Sequence, residues 1–485
     1  MVLWCCNQDV DVNMSTYKGL SPVMIACKHG HTEIVKILLD KDVDCNKCDN
    51  CGRSPVMKAC EQGHTEIVTI LLDKGVEYDK CDNDGQTPVM KACKHGHAEI
   101  FKMLLDRGVD CNVRDNFGLS PVMMASENGS TEIVKILLDR EANYNICDGY
   151  GQSPLMMACG NGHTEIVRLL LDREVALNKG DIIGLSSLMY GCERGHTEIV
   201  KMLLDRGANC NICDESNLSP IMKACENGHT EIVKLLLDRG ADCNKCNILN
   251  ESPLIKACEL GHTEILKILL DRGEDYNKCN LLGDSPIMYA CEYGQVEIFK
   301  ILLDKGVDCN IYNNRGQSPL MIACRSCSTE IINILLDRGA DYNECDGSGE
   351  SPIMVVCEHG KTEIVMMLLD RGVDCNICDI YGRSPVMKAC EHGHTELVQA
   401  LLDRGADCNI CDVDGESSVM KACKYGYKEI VQILLDRGVD CNRCDKNGQS
   451  AVLLASKNDH NSIVTMINQH SNNVELLYSR RSFLH

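Results

Sequence analysis

The chain has 485 residues, a formal net charge of −22 and 34 cysteines, and aromatic residues make up 4% of it. This acidic balance argues against nucleic acid as a partner, because the phosphate backbone attracts basic proteins. No apolar stretch approaches the roughly 20 residues that a membrane-spanning helix needs. The opening segment also lacks the leader typical of a secreted disulfide-rich protein. We therefore expect a reducing location, the cytoplasm or alternatively the nucleus.

The first segment, "MVLWCCNQDVDVN", aligns with the second half of a unit that recurs along the rest of the chain. A serine or threonine returns every 33 residues from Ser21 to Ser450, which defines fourteen units over residues 16–477. Such a period indicates a stacked repeat architecture. We predict a partial repeat at 1–15 that consists of a second helix only, fourteen repeats at 16–477, and a short tail at 478–485.

Each repeat predicts two helices and a loop. In the second repeat, Pro55 lies near the start of a short apolar segment and Gly63 follows it, as at the first turn and the end of a helix. The segment 65–74 then has the wide apolar face of an amphipathic helix and ends before Gly75. Turn residues around Gly85 predict an exposed hairpin-like loop to the next repeat. Because two short helices cannot bury their faces alone, neighbouring repeats must stack into a solenoid.

The run "GQSPLMMACGNGHTEIVRLLLDRE", followed elsewhere by "GADCN", resembles the ankyrin repeat in the order and spacing of its elements. The resemblance covers nearly the whole chain. It implies an all-α, curved and elongated array of helix-turn-helix units with hairpin loops. One departure is that twelve repeats have Met where the family usually has His, and we expect these side chains to fill the core. Histidines before the second helix match the family's Gly-His and are expected to be structural.

The resemblance implies that partners are bound by the loop tips and the exposed face of the first helices. Several tips carry apolar side chains where polar ones are expected, which indicates a contact patch. Three tyrosines on or beside first helices are of the type enriched in interface anchors. The alternative is drift among repeats or partial burial between loops. The predicted partner-binding residues are Phe117, Tyr150, Ile182, Ile183, Tyr190, Ile248, Leu249, Leu281, Leu282, Tyr289 and Tyr293.

The spacing "DCNKCD" at residues 44–49 raises the question of a metal or redox site, because Cys-x-x-Cys is common to both. Thirty cysteines fall into three columns of the repeat: one on the first helix and two in the loop. Tetrahedral zinc holds its sulfurs about 3.8 Å apart, whereas packed helices lie roughly 8 to 10 Å apart. Equivalent cysteines of successive repeats therefore cannot share an ion. We expect the first two columns to be buried and the third to face outward, open to oxidation.

Other recurring polar residues are expected to be structural. The loop asparagine, Asn46 in the second repeat, should bond the loop backbone of a neighbouring repeat. Lysine–glutamate pairs three residues apart on first helices, such as Lys58 and Glu61, should be solvated neighbours. Cys327 replaces a helix-ending Gly, and this substitution costs of order 1 kcal/mol if the position needs a positive φ. Ser187 and Ser418 replace the helix-starting Pro.

No nucleophile elbow, phosphate loop or metalloprotease motif occurs, and candidate catalytic residues recur in neighbouring repeats. A catalytic centre needs one unrepeated constellation. We predict no catalytic site, metal or cofactor, and a monomeric, non-enzymatic scaffold or adaptor that binds other proteins. Two alternatives stay open: a cysteine-rich metal-binding or redox-sensing protein, and the recognition arm of a longer protein.

Overall fold

The structure is a computed structural model that describes the backbone of residues 11–482 and the side chains of residues 11–471. The chain divides into two compact units, between Ile248 and Leu249. Most of the partial repeat predicted at 1–15, and the end of the tail predicted at 478–485, lie outside the described residues. Those domain boundaries therefore stay a prediction.

In the unit before Leu249, each of seven repeats contributes two short helices. Its first helices are Pro22–Lys28, Pro55–Gln62, Pro88–Lys94, Pro121–Glu127, Pro154–Gly160, Ser187–Arg194 and Pro220–Glu226. Its second helices are Thr32–Leu39, Thr65–Asp73, Ala98–Asp106, Thr131–Asp139, Thr164–Leu171, Thr197–Asp205 and Thr230–Asp238.

The unit that starts at Leu249 has the same organisation. Its first helices are Pro253–Leu260, Pro286–Glu292, Pro319–Arg325, Pro352–His359, Pro385–Glu391, Ser418–Tyr425 and Ala451–Lys457. Its second helices are Thr263–Asp271, Val296–Asp304, Thr329–Asp337, Thr362–Asp370, Thr395–Asp403, Lys428–Asp436 and Asn461–Ser482. The last of them runs past residue 477, where the fourteenth repeat was set to end.

The described residues thus form 28 helices and no strand, apart from three isolated bridges between loop and helix start. Within each unit, the first helix of a repeat contacts the second helix of the same repeat and the first helices of its neighbours. This arrangement confirms the prediction of an all-α solenoid of stacked helix-turn-helix units.

The first helices begin and end where the sequence predicts. Ser54 is extended, and its hydroxyl accepts a hydrogen bond from the Met57 N–H at 3.4 Å, which satisfies one of the free donors at a helix start. Pro55 occupies the first turn, where its missing N–H costs nothing. Gly63 ends the helix at φ +80°, a conformation that a residue with a Cβ adopts only at a cost.

The core of each repeat lies between its own helices and the adjacent repeats. In the second repeat, Met57 and Cys60 of the first helix and Val68 and Leu71 of the second are at most 1% exposed. The equivalent Met and Cys positions are also buried in most other repeats. The prediction that these Met and Cys columns fill the core is confirmed.

Asparagine and histidine side chains connect successive repeats. Asn46 Oδ1 accepts a hydrogen bond from the Glu77 N–H, 31 residues on, at 2.9 Å, and the same bond recurs in other repeats. The ring of His163 bonds through Nε2 to the Glu127 carbonyl at the end of the preceding first helix, at 3.0 Å. The structural roles predicted for both columns are confirmed.

The prediction that the first-helix lysines are solvated was wrong. Lys58 is 4% exposed, and its Nζ lies 3.5 Å from the buried Asp49 Oδ2 and 3.9 Å from Glu61. Lys388 is equally buried, and its ammonium pairs with Glu350 at 2.5 Å. These lysines lie in the seam between loop and first helix, because the loop folds back and brings an acidic side chain over the helix.

Candidate functional site

The predicted loop-tip side chains are all half-exposed. Their exposed fractions lie between 49% and 61%, although large apolar side chains are normally buried. In the first unit these residues are Phe117, Tyr150, Ile182, Ile183 and Ile248. In the second unit they are Leu249, Leu281 and Leu282.

Backbone hydrogen bonds hold successive tips in register. The Gly149 N–H donates to the Phe117 carbonyl at 2.9 Å, and the Ile182 N–H donates to the Tyr150 carbonyl at 3.0 Å. In the second unit, the Leu281 N–H donates to the Leu249 carbonyl at 3.0 Å. One bond per repeat therefore links each tip to the next, and the exposed side chains are displayed on an ordered edge.

Each tip is also fixed from within by the acidic or amide residue that opens the repeat. Asp148 Oδ1 accepts the N–H groups of Tyr150 and Gln152, at 2.9 and 2.8 Å. Side-chain bonds of this kind replace backbone partners in turns. The backbone of the tips is therefore ordered rather than loose.

Three further apolar side chains on the tips lie outside the predicted set. Ile380 and Tyr381 are 61% and 50% exposed, and Val413 is 48% exposed. They occupy the same two columns of the repeat as Ile182 and Ile183. The signal is the position in the repeat: an apolar residue in either of these two columns is expected to be exposed in every repeat.

Tyr190 lines a groove in the first unit instead of projecting from it. Its hydroxyl donates to Asp181 Oδ2 at 2.8 Å and accepts from Gln152 Nε2 at 2.6 Å. Burial, reinforced by the bond to Asp181, raises the pKa of Tyr190. The ring packs beside Gly160, where a Cβ would lie 3.3 Å from it, and the groove has a volume of about 250 Å³. In most other repeats Lys or Met replaces the Tyr, and in all of them a larger residue replaces the Gly.

Tyr289 and Tyr293 stand one helical turn apart in the second unit, with ring centroids 6.3 Å apart and planes within 8°. Tyr289 is only 8% exposed, and its hydroxyl donates to Glu251 Oε1 at 3.1 Å and accepts from Asn280 Nδ2 at 2.9 Å. Tyr293 is 49% exposed. Tyr289 is thus held in place by hydrogen bonds, and Tyr293 is the ring that is exposed to solvent.

A groove of about 540 Å³ opens beside these two rings, between the loops and the ends of the first helices. It brings Leu282, Tyr289 and Tyr293 together, so three of the predicted residues share one site. Charged residues from successive repeats complete its lining. They are Glu251, Glu259, Asp284, Glu292, Arg315 and Arg325. These charged residues were missed because no single repeat contains the groove.

The 32 cysteines with described side chains are free thiols. The first-helix column is buried, while Cys48, Cys81, Cys378 and Cys444 of the third column are exposed. No group of three or more His, Cys, Asp or Glu side chains between residues 11 and 471 is arranged to hold a metal ion. Among the helices that the structure describes, none is both long and apolar enough to cross a bilayer.

Comparison with known proteins agrees with the fold. A family model for ankyrin repeats in three copies matches residues 1–81, 23–115, 75–148, 122–214, 188–280, 273–346, 341–412 and 405–477. No significant match was found among curated proteins. Ankyrin repeats are generally protein–protein interaction modules, and proteins built from them are typically non-enzymatic. With these matches together spanning residues 1–477, the chain belongs to the ankyrin-repeat family.

Proposed function

We propose that the chain is a non-enzymatic scaffold or adaptor that binds other proteins through its loop tips and first-helix grooves. The observation that carries the proposal is the run of half-exposed apolar side chains on consecutive tips, from Phe117 through Tyr150 to Ile183. An ordered row of apolar side chains rimmed by polar residues is typical of an interaction site.

Burial of the tip side chains against a partner is expected to contribute substantially to the free energy of binding. Burying the exposed half of an Ile, Leu or Phe side chain contributes about 1 kcal/mol. Four such side chains together would strengthen binding by about 4 kcal/mol, or about a thousandfold. The hydrogen bonds between tips add to this, because little loop entropy is lost when a partner binds.

The charge distribution supports a protein partner over nucleic acid. Many basic side chains are already engaged, as where Arg107 contacts Asp73 at 2.8 Å and Arg239 contacts Asp205 at 2.6 Å across consecutive repeats. These pairs reduce the number of unpaired basic side chains that a phosphate backbone could contact. A monomer in the cytoplasm is part of the same proposal, since the many thiols used for packing need a reducing compartment.

Two double variants test the proposal, one in each unit: Phe117→Ser with Ile183→Ser, and Leu249→Ser with Leu282→Ser. Asp84→Ser is the matched control, because Asp84 is an exposed polar tip residue in the same column of the repeat as Phe117 and Ile183. Affinity capture from native cells should recover fewer partners with at least one double variant and an unchanged set with the control. Equal recovery by the parent and both double variants would contradict the proposal.

A further inference from the structure

We propose that the groove beside Tyr293 binds an extended segment of a partner protein that carries an Arg or Lys side chain and, about three residues away, an Asp or Glu side chain. The basic side chain would lie against Tyr293 and the carboxylates of Glu259 and Glu292. The acidic side chain would contact Arg315 and Arg325. This inference rests on the proposed function and specifies the ligand of one of its sites.

The end of the groove at Tyr293 is built to attract a cation. The half-exposed ring of Tyr293 is backed by Tyr289, whose hydroxyl is fixed by Glu251 and Asn280. An Arg or Lys side chain over such a ring is attracted by its negative face. The ring therefore offers a rigid platform rather than a movable side chain.

Carboxylates surround this platform. Glu292 is exposed and makes no ion pair within 4 Å among the described residues. Glu259 contacts Lys256 Nζ at 3.0 Å, but Glu251 contacts the same ammonium at 2.7 Å. Partial burial, and then the nearby Asp284 carboxylate, raise the pKa of Glu292, and the Arg325 and Arg315 guanidinium groups offset only part of that rise. A cationic side chain from a partner would relieve this local excess of negative charge.

The opposite charge lies one repeat further on. Arg315 and Arg325 line the same groove and make no ion pair within 4 Å in the part of the chain that the structure describes. The acids beyond them are engaged elsewhere: Glu350 pairs with Lys388 at 2.5 Å, and Asp346 Oδ1 accepts the Ser348 N–H at 2.9 Å. The Arg315 guanidinium is therefore available to a carboxylate, with which it can form paired hydrogen bonds. The Arg325 guanidinium lies 2.8 Å from the side-chain amide of Gln317 and adds its positive charge beside it.

The distance between neighbouring repeats sets the distance between the two charges of the ligand. Tyr293 and Glu292 belong to the ninth repeat, and Arg315 and Arg325 belong to the tenth. Adjacent helices pack roughly 8 to 10 Å apart, while an extended chain advances about 3.3 Å per residue. The two charges of the ligand should therefore be about three residues apart.

The thirteenth repeat supplies an internal control. Tyr425 occupies the same column as Tyr293 and is 46% exposed. Lys424 replaces the glutamate of the preceding column, and its Nζ lies 5.9 Å from the Tyr425 ring centroid. Because the Lys424 ammonium already lies over the Tyr425 ring, a basic side chain of a ligand should not bind there.

The test is a selection of random peptides displayed on phage against the full chain. Enriched peptides should carry a basic and an acidic residue about three positions apart. Synthetic, fluorescein-labelled copies should bind Tyr293→Ala and Glu292→Lys about tenfold more weakly than the parent. Tyr425→Ala should bind within about twofold of the parent. Glu292→Lys should regain affinity for a peptide whose basic residue is replaced by Glu.

Absence of the paired charges from the enriched peptides, or equal effects of Tyr293→Ala and Tyr425→Ala, would overturn the inference. Because Tyr293 and Glu292 are exposed, their substitution should not unfold the repeat. Weakening by Phe117→Ser with Ile183→Ser, but not by the groove variants, would overturn the groove assignment and leave protein binding by the tips intact.

Discussion

At the residue scale, the position of each cysteine in the repeat decides its chemistry. Cys93 lies in the first-helix column, is fully buried, and lies 2.9 Å from the Pro121 carbonyl oxygen. Burial raises the pKa of this thiol far above its usual range. Cys81 lies in the loop and is exposed. Only a thiolate that solvent can reach reacts readily with electrophiles.

We therefore expect iodoacetamide at about pH 8 to alkylate Cys81 at least about ten times faster than Cys93 in the folded protein. Peptide mass spectrometry over a time course measures both rates. In urea the two rates should converge, which serves as the control. Equal rates in the folded state would mean that the first-helix column is not a buried packing position.

Asp49 shows how one acidic residue organises a loop. Its Oδ1 accepts the N–H groups of Cys51 and Arg53 at 3.0 and 2.9 Å, while its Oδ2 faces the Arg53 and Lys58 side chains. Burial opposes ionisation, but the Arg53 N–H bond and both cations outweigh it and lower the pKa of Asp49. The carboxylate thus stabilises the fold above its unfolded pKa, and that stabilisation is lost as the pH falls through the lower folded value.

Asp49→Ala should destabilise the first unit by about 3 kcal/mol, because two N–H groups and a buried ammonium lose their acceptor. Asp49→Asn should cost only about 1 to 2 kcal/mol, since it keeps the acceptor for both N–H groups. Asn280 demonstrates this, as its Oδ1 accepts the Leu282 and Asp284 N–H groups at 2.8 Å. Urea unfolding followed by circular dichroism measures both losses, and equal losses would refute this account of the loop.

At the scale of the helix, the backbone conformation of the residue that ends the helix affects the free energy of unfolding. Cys327 follows the first helix of the tenth repeat at φ +55°, where the adjacent repeats have Gly294 and Gly360. The left-handed conformation costs an L-residue roughly 1 to 2 kcal/mol. Cys327→Gly should therefore raise the free energy of unfolding by about 1 kcal/mol.

Gly360→Ala is the opposite control for this prediction. A Cβ at Gly360, which has φ +67°, would collide with the ring of His394, so the variant should be less stable than the parent. Thermal unfolding of both variants gives the comparison. If Cys327→Gly lost stability, the side chain of Cys327 would have to make contacts that outweigh its backbone strain.

The first residue of a helix also affects the stability of the fold. Ser187 replaces the usual proline, and its hydroxyl is buried without a hydrogen-bond partner among the described residues. The preceding Ser186 is extended at φ −85° and ψ 164°, a conformation compatible with a following proline. Ser187→Pro should therefore stabilise the first unit by about 0.5 to 1 kcal/mol.

The reverse change, Pro220→Ser in the next repeat, should lose a similar amount. Differential scanning calorimetry of the two variants would show whether the first change raises the stability and the second lowers it. A loss of stability in Ser187→Pro would show that the Ser187 N–H or hydroxyl makes a bond that the helix start needs.

At the scale of the whole molecule, most of the fold can be predicted from the repeat period. The 33-residue spacing placed helix starts, helix ends and core columns correctly, because each depends on local residues such as Ser54, Pro55 and Gly63. The loop tips were also foreseeable, since their columns lie outside the apolar faces. Ile380 and Tyr381 share the columns of Ile182 and Ile183, so the repeat period is enough to predict that they are exposed.

The rest depends on contacts between segments that are distant in sequence. Lys58 looks solvated on a helix taken alone, but Asp49, nine residues earlier, covers it once the loop folds back. The groove beside Tyr293 joins side chains from Glu251 to Arg325, which no single repeat contains. Propensity and periodicity describe one helix at a time, so they cannot show which side chains of different repeats meet.

The central claim is that non-recurring side chains on tips and grooves bind a protein partner. Site-specific photocrosslinking tests it most directly, with benzoylphenylalanine placed at Phe117 or Tyr293 of the full chain in native cells. Asp84 and Tyr425 are the controls, because they occupy the same columns in other repeats. The account predicts a discrete crosslinked partner from Phe117 or Tyr293 and none from the controls. Equal crosslinking from all four positions, or none from Phe117 and Tyr293, would contradict it.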